Sequence, residues 1–446
     1  MKNRFILALL IALNIAPFSV YADGLPKLSA ELKILWSAPI TADPPPDVKD
    51  GKSYTKQRGR GLLLSEGAVL SNGHLIFLGH LFDPTSYASV LIENDGKQGI
   101  EKNTKIQLEG TRPEPLSFLQ KLIGAEKPSR DPTIGTLATD NKDTIWIGGL
   151  TNQYMGFASD PHCEAYLAKL DSSANVLWER SYKAARYPII KHIAPSSNGN
   201  LAVVGIDQMS QSSWMASIDS NDGRLIWERY LGNGKDIGIV STSKDGFIVA
   251  SFDSTGERAA YQDNVSVRSV STDGQIGTAS VIRQAINKSR GSHFGKIKMS
   301  ATEDGAYILS NWDESNTTPQ QPAEIAKVSA DGNLLWSKKL PDSFIEKENR
   351  NKTTFCSDPT IASLPNGDGL VACVLDRQIH LYRFNHLTGK EEQGRLPLPA
   401  CPDGNSSDSL FLVVRKDGAI FLNGSRASNS IGAGCSWIGQ LTINHI

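Results

Sequence analysis

Short runs of alternating apolar and polar residues recur along almost the whole chain, separated by Gly, Asp and Asn. A period of two predicts strands with one buried face, and Asp-Gly or Thr-Gly pairs supply the positive-φ residues of tight hairpins. Five segments repeat one pattern of strand, turn and strand. They are AYLAKLDSSANVLWERSY (165–182), SWMASIDSNDGRLIWERY (213–230), NVSVRSVSTDGQIGTASV (264–281), AEIAKVSADGNLLWSKKL (323–340) and IHLYRFNHLTGKEEQGRL (379–396), with a weaker copy at 88–105. One slot after the turn holds Trp178, Trp227, Thr278, Trp336 and Gln393, at intervals of 49, 51, 58 and 57 residues. A period near 50 points to propeller blades. A second hairpin precedes each of these, as in GIVSTSKDGFIVASFD (238–253) and KIKMSATEDGAYILSNWD (296–313). Two hairpins make a four-stranded antiparallel blade, with strands a to d from the inside outward.

The two ends of the chain complement each other. LKILWSAPI (32–40) reads as a strand d lacking its strand c, and CSWIGQLTINHI (435–446) as a strand c lacking its strand d. The sequence therefore predicts an all-β, seven-bladed β-propeller of four-stranded antiparallel blades, closed by the N-terminal strand d against the C-terminal strand c. A pair of β-sandwich domains also has many short strands, but it explains neither the period nor the half-blades. The repeated tryptophans read as core between blades rather than as a cofactor platform.

Residues 1–22 have a basic start, an apolar run and Val20-Tyr21-Ala22 before a cleavage site, the pattern of a signal peptide. Asn14 and Pro17 interrupt the run, which argues against a membrane anchor. A single propeller domain over 23–446 is expected in the periplasm or secreted, as a monomer without membrane insertion. With 46 Lys plus Arg against 47 Asp plus Glu, the charge gives no reason to expect nucleic acid as a partner. In an oxidising compartment the five cysteines can pair. The candidate disulfide is Cys401–Cys435, Cys373 reads as a buried small hydrophobe, and no spacing resembles a zinc site.

The segments SIDSNDGRLIWERYL, KVSADGNLLWSKKL and RFNHLTGKE resemble the repeats of the pyrroloquinoline-quinone-type (PQQ-like) β-propeller superfamily. The resemblance implies the fold. Quinoprotein dehydrogenases of that superfamily use a vicinal cysteine pair and an acidic calcium site, whereas this chain has no Cys-Cys dipeptide, so PQQ is not an expected cofactor. Non-catalytic members serve as scaffolds in the bacterial envelope.

In a propeller the d–a and b–c loops share one face, where functional groups collect. At the end of strand b stand Asp207, Asp253, Asp313 and Asp376, and the same slot elsewhere holds His80 (with Asp83 nearby), Thr151-Asn152 and Arg426. Four carboxylates around a channel mouth could hold calcium or attract a cation. The competing reading is that each aspartate caps its own turn. His80, His162, His192 and His293 project to the same face without forming a ligand set. An insertion at 110–132 carries a short amphipathic helix pattern over 115–124, suited to a lid or a partner-binding ridge. The function expected is a binding or scaffold module engaging a protein or small ligand through the loop face. The alternative is a propeller hydrolase or lyase using carboxylates and a histidine at the channel mouth.

Overall fold

The computed structural model describes residues 27–40, 61–83, 86–97, 102–106, 108, 132–151, 163–183, 188–196, 198–207, 209–244, 246–255, 261–287, 294–313, 323–340, 344–345, 354–375, 377–399, 406–428 and 434–444. The signal sequence, the proposed helix at 115–124, His162 and His293 lie outside them. Among the described residues no helix is long and apolar enough to cross a membrane.

The described elements are strands in antiparallel sheets. Strand β1 (Ala30–Ile40) is paired at the far end of the chain. The next sheet contains β2 (Gly61–Val69), β3 (Leu75–Asp83), β4 (Ser86–Asn94) and β5 (Lys102–Lys105). It is followed by β6 (Thr133–Thr139), β7 (Ile145–Thr151), β8 (Glu164–Leu170) and β9 (Val176–Tyr182). A seven-stranded sheet comes next: β10 (Pro188–Pro195), β11 (Asn200–Asp207), β12 (Ser212–Asp219), β13 (Leu225–Ser241), β14 (Gly246–Thr255), β15 (Tyr261–Ser271) and β16 (Ser280–Asn287). Then come β17 (Phe294–Thr302), β18 (Gly305–Asp313), β19 (Glu324–Ser329) and β20 (Leu334–Lys339). A two-stranded ribbon, β21 (Phe344–Ile345) and β22 (Thr354–Phe355), precedes β23 (Ser357–Ser363), β24 (Gly369–Leu375), β25 (Gln378–Phe384) and β26 (Glu391–Pro397). The last sheet joins β27 (Ser406–Val414), β28 (Ile420–Ser428) and β29 (Gly434–Ile443) to β1.

Seven separate four-stranded blades are not what forms. Among the described residues the large sheets are five four-stranded blades and one seven-stranded sheet. The reason lies in Leu231-Gly232-Asn233-Gly234, which the sequence pattern presents as a linker between two blades. Gly232, at φ 112°, lets the chain bend while it stays paired, so a single 17-residue strand results. Its first part pairs with β12 (Ser212↔Asn233 to Ile218↔Leu225) and its second with β14 (Gly234↔Asp253 to Ser241↔Phe247). The pairing of the two chain ends does form: Leu32 lies opposite Leu441, Trp36 opposite Ile438 and Ser37 opposite Trp437.

The apolar core lies in layers between neighbouring sheets. In one layer Ile76, Leu78 and Leu91 pack with Ile147, Tyr166 and Leu170 of the following blade. In another, Leu370, Ala372 and Leu381 meet Leu422 and Trp437 of the closing sheet.

Where the repeated slot holds Trp, the indole ties its hairpin to the next. The indole N–H of Trp178 donates to Ser220 O (3.3 Å), that of Trp227 to Thr272 O (2.9 Å) and that of Trp336 to His386 O (3.1 Å). Each acceptor lies in the c–d turn of the following hairpin, whose glycine sits against the same indole. Gly274 and Gly389 hold φ 84° and 63°, and a Cβ there would stand 2.9 Å from Trp227 and 3.0 Å from Trp336. The turn glycine is therefore required twice, by its backbone angle and by the ring beside it.

Candidate functional site

The rim positions fall into two groups. Asp207 is buried at the end of β11, where its Oδ1 accepts from Met209 N (2.9 Å) and Ser210 N (3.4 Å), so it caps its turn. Asp253, at the equivalent place in β14, accepts from Ser251 Oγ (2.9 Å) and pairs with Arg268 at 3.6 Å. His80 lies in β3, and burial lowers its pKa to about 4. Asp83, Asp313 and Arg426 are placed at strand ends by their backbones, and their side chains, like the whole of Asp376, lie outside the described residues. Among the described residues no group of three His, Cys, Asp or Glu is arranged to hold a metal.

A disulfide joins Cys356 to Cys373. Cys373 is buried in β24 as expected, but it is not a free thiol. The register shift in β23 between Ser357 and Thr360 alters the pairing with β24 beside Cys373, and alternation in the sequence does not reveal that shift. Cys401 lies outside the described residues, and of Cys435 only the backbone, in β29, is described. Cys163 is buried.

The strongest convergence of chemistry lies inside the channel, which the sequence did not reveal: His192, expected on the loop face, lies within β10 and lines the channel instead. A cavity of about 320 Å³ is bounded by residues from β2, β6, β10, β13, β17, β23 and β27. Five of these strands carry a register irregularity at a similar depth: Leu64/Gly67, Ile134/Thr136, Ile190/His192, Gly234/Ile237 and Ser357/Thr360. A bulge breaks the two-residue alternation and re-aims a side chain. Glu66, Lys191, Asp236 and Asp358 all occupy these irregular stretches.

The acids have partners on the neighbouring strand. Leu137 N donates to Glu66 Oε2 at 2.6 Å, and Ile297 N donates to Asp236 Oδ2 at 2.8 Å. Thr360 Oγ1 likewise accepts from Leu412 N at 3.3 Å. These side chains satisfy amides that inner strands would otherwise leave unpaired. Asp358 pairs with Lys296 at 3.1 Å.

Electrostatics separates the groups. Burial pushes the Glu66 and Asp236 carboxyls up, against the opposing pull of Lys298 and Lys191. Burial also raises Asp358, but Lys298 and Lys296 outweigh it and hold that carboxyl below its ordinary value. Burial, helped by Lys298 and Lys191, lowers His192 to about 3, so its imidazole is neutral at pH 7. Lys298 faces the same cavity, with its Nζ 6.0 Å from the centre of the Phe411 ring.

No family model matches the sequence, and no curated protein matches it. Among solved structures, the chain is similar to the polysaccharide lyase Uly1, with 9% identity, a TM-score of 0.52, and 92% of this chain and 99% of that chain covered. It also matches the quinohemoprotein alcohol dehydrogenase ADHIIG from Pseudomonas putida HK5, at 9% identity and a TM-score of 0.41, over 92% of this chain and 76% of that chain. BamB from Moraxella catarrhalis matches at 10% identity and a TM-score of 0.36, over 85% of this chain and 98% of that chain. At these identities the likeness is one of fold, and the fold is a β-propeller.

Proposed function

We propose that this protein is an extracytoplasmic β-propeller module, monomeric, that binds a small ligand in its central channel. The observation carrying this reading is the convergence of Glu66, His192 and Lys298, from three different inner strands, on one cavity of about 320 Å³. That volume is at the small end of ligand sites, and titratable groups that converge in a concave site, with burial moving Glu66 up and His192 down, favour a functional role. The Cys356–Cys373 disulfide supports a location outside the cytoplasm. A thermal-shift survey of amino acids, monosaccharides and small carboxylic acids tests the reading. Binding in the channel is expected to raise the melting temperature of the wild type and to fail in Gly238→Phe and Met299→Trp variants, each of which narrows the cavity. Equal shifts in all three proteins would place the ligand elsewhere.

A second reading, a hydrolase or lyase, is favoured by one observation: a neutral imidazole and a carboxyl share the cavity. The fold likeness to a polysaccharide lyase makes polysaccharides the first substrates to assay. Turnover lost in both His192→Asn and Glu66→Gln would support it.

A further inference from the structure

The channel's acids and bases are not equally available to a ligand. Glu66 and Asp236 are engaged by backbone amides of the next strand, and Asp358 by Lys296. Lys298 makes no hydrogen bond or ion pair within contact distance among the described residues, and neither does His192. Both face the cavity, whose remaining wall is largely apolar: Ile193, Ile239, Met299 and Phe411. A half-buried ammonium without a hydrogen-bonded partner gives up part of its hydration, and a ligand that supplied an anionic acceptor would restore what was lost.

Resting on the channel-binding reading, we infer that the ligand is a small organic anion, a carboxylate with an apolar body. The carboxylate would accept hydrogen bonds from Lys298 Nζ and a His192 ring nitrogen while the body packs against Ile239, Met299 and Phe411. The raised pKa values of Glu66 and Asp236 are consistent with this, since a carboxyl held nearer neutrality repels an incoming anion less.

The test uses the full chain at pH 7 with benzoate, its uncharged counterpart benzamide, and inorganic phosphate, measured by calorimetry. Benzoate is expected to bind at least about tenfold more tightly than either of the others, because only it meets both the ammonium and the apolar wall. Lys298→Met and Lys298→Gln, each checked for folding by circular dichroism, are expected to lose that preference; its survival in both would overturn the inference. Benzamide binding as well as benzoate would overturn the anionic head, and phosphate binding as well as benzoate would overturn the apolar body. In both cases channel binding would stand if Gly238→Phe abolished it. Absence of binding by all three probes would overturn the inference, and the thermal-shift survey would then decide the channel reading separately.

Discussion

Glu66 shows how one side chain combines a structural and an electrostatic role. It accepts the Leu137 amide across a gap between sheets, yet its own charge is penalised by burial. Glu66→Gln keeps an acceptor and removes the charge, so it should leave stability at pH 7 unchanged or higher. Glu66→Ala should cost about 1–3 kcal/mol by orphaning that amide, as read from urea unfolding. The pH dependence follows from the raised pKa: the unfolded chain ionises near 4.5, so this residue's contribution is present below that pH and is lost as pH rises. His192 acts in the opposite range. Its pKa falls from 6.5 to about 3 on folding, so unfolding takes up a proton in that interval. Stability present above pH 6.5 should decline towards pH 3, and His192→Asn should flatten part of the decline in a melting-temperature series.

Among the elements, the c–d hairpins carry the clearest link from sequence to packing. Gly274→Ala places a methyl group in a left-handed backbone position and against Trp227, so it should cost about 1–3 kcal/mol. In a Trp227→Ala background the cost should shrink, because the ring that opposes the methyl has gone; a double-mutant cycle measures the difference. The hairpins were legible in the sequence because the turn glycine and the Trp both recur at fixed spacing. Ala174 could be matched to the same turn, and it does adopt a positive φ of 68°. The channel site was not legible, since register shifts place Glu66, Lys191, Asp236 and Asp358 against the alternation used to read strands. The continuous β13 escapes the same reading for a related reason: Gly232 and Gly234 look like a linker but let one strand pass from its ladder with β12 to its ladder with β14.

At the scale of the whole molecule, two ties between separate segments hold the chain together. The Cys356–Cys373 bond links residues 17 positions apart, and Cys373→Ser should cost about 3 kcal/mol in urea unfolding, with the same loss on reduction of the wild type. Deleting residues 23–40 removes the partner of β29 and should leave a sheet edge that promotes self-association, visible by size-exclusion chromatography. The pairing of β1 with β29 also sets a schedule for biosynthesis. The strand that emerges early from the ribosome meets its mate only when the end of the chain has been made. Until then it is an unmated ribbon in a growing chain, so stalled translation products should be especially prone to clump.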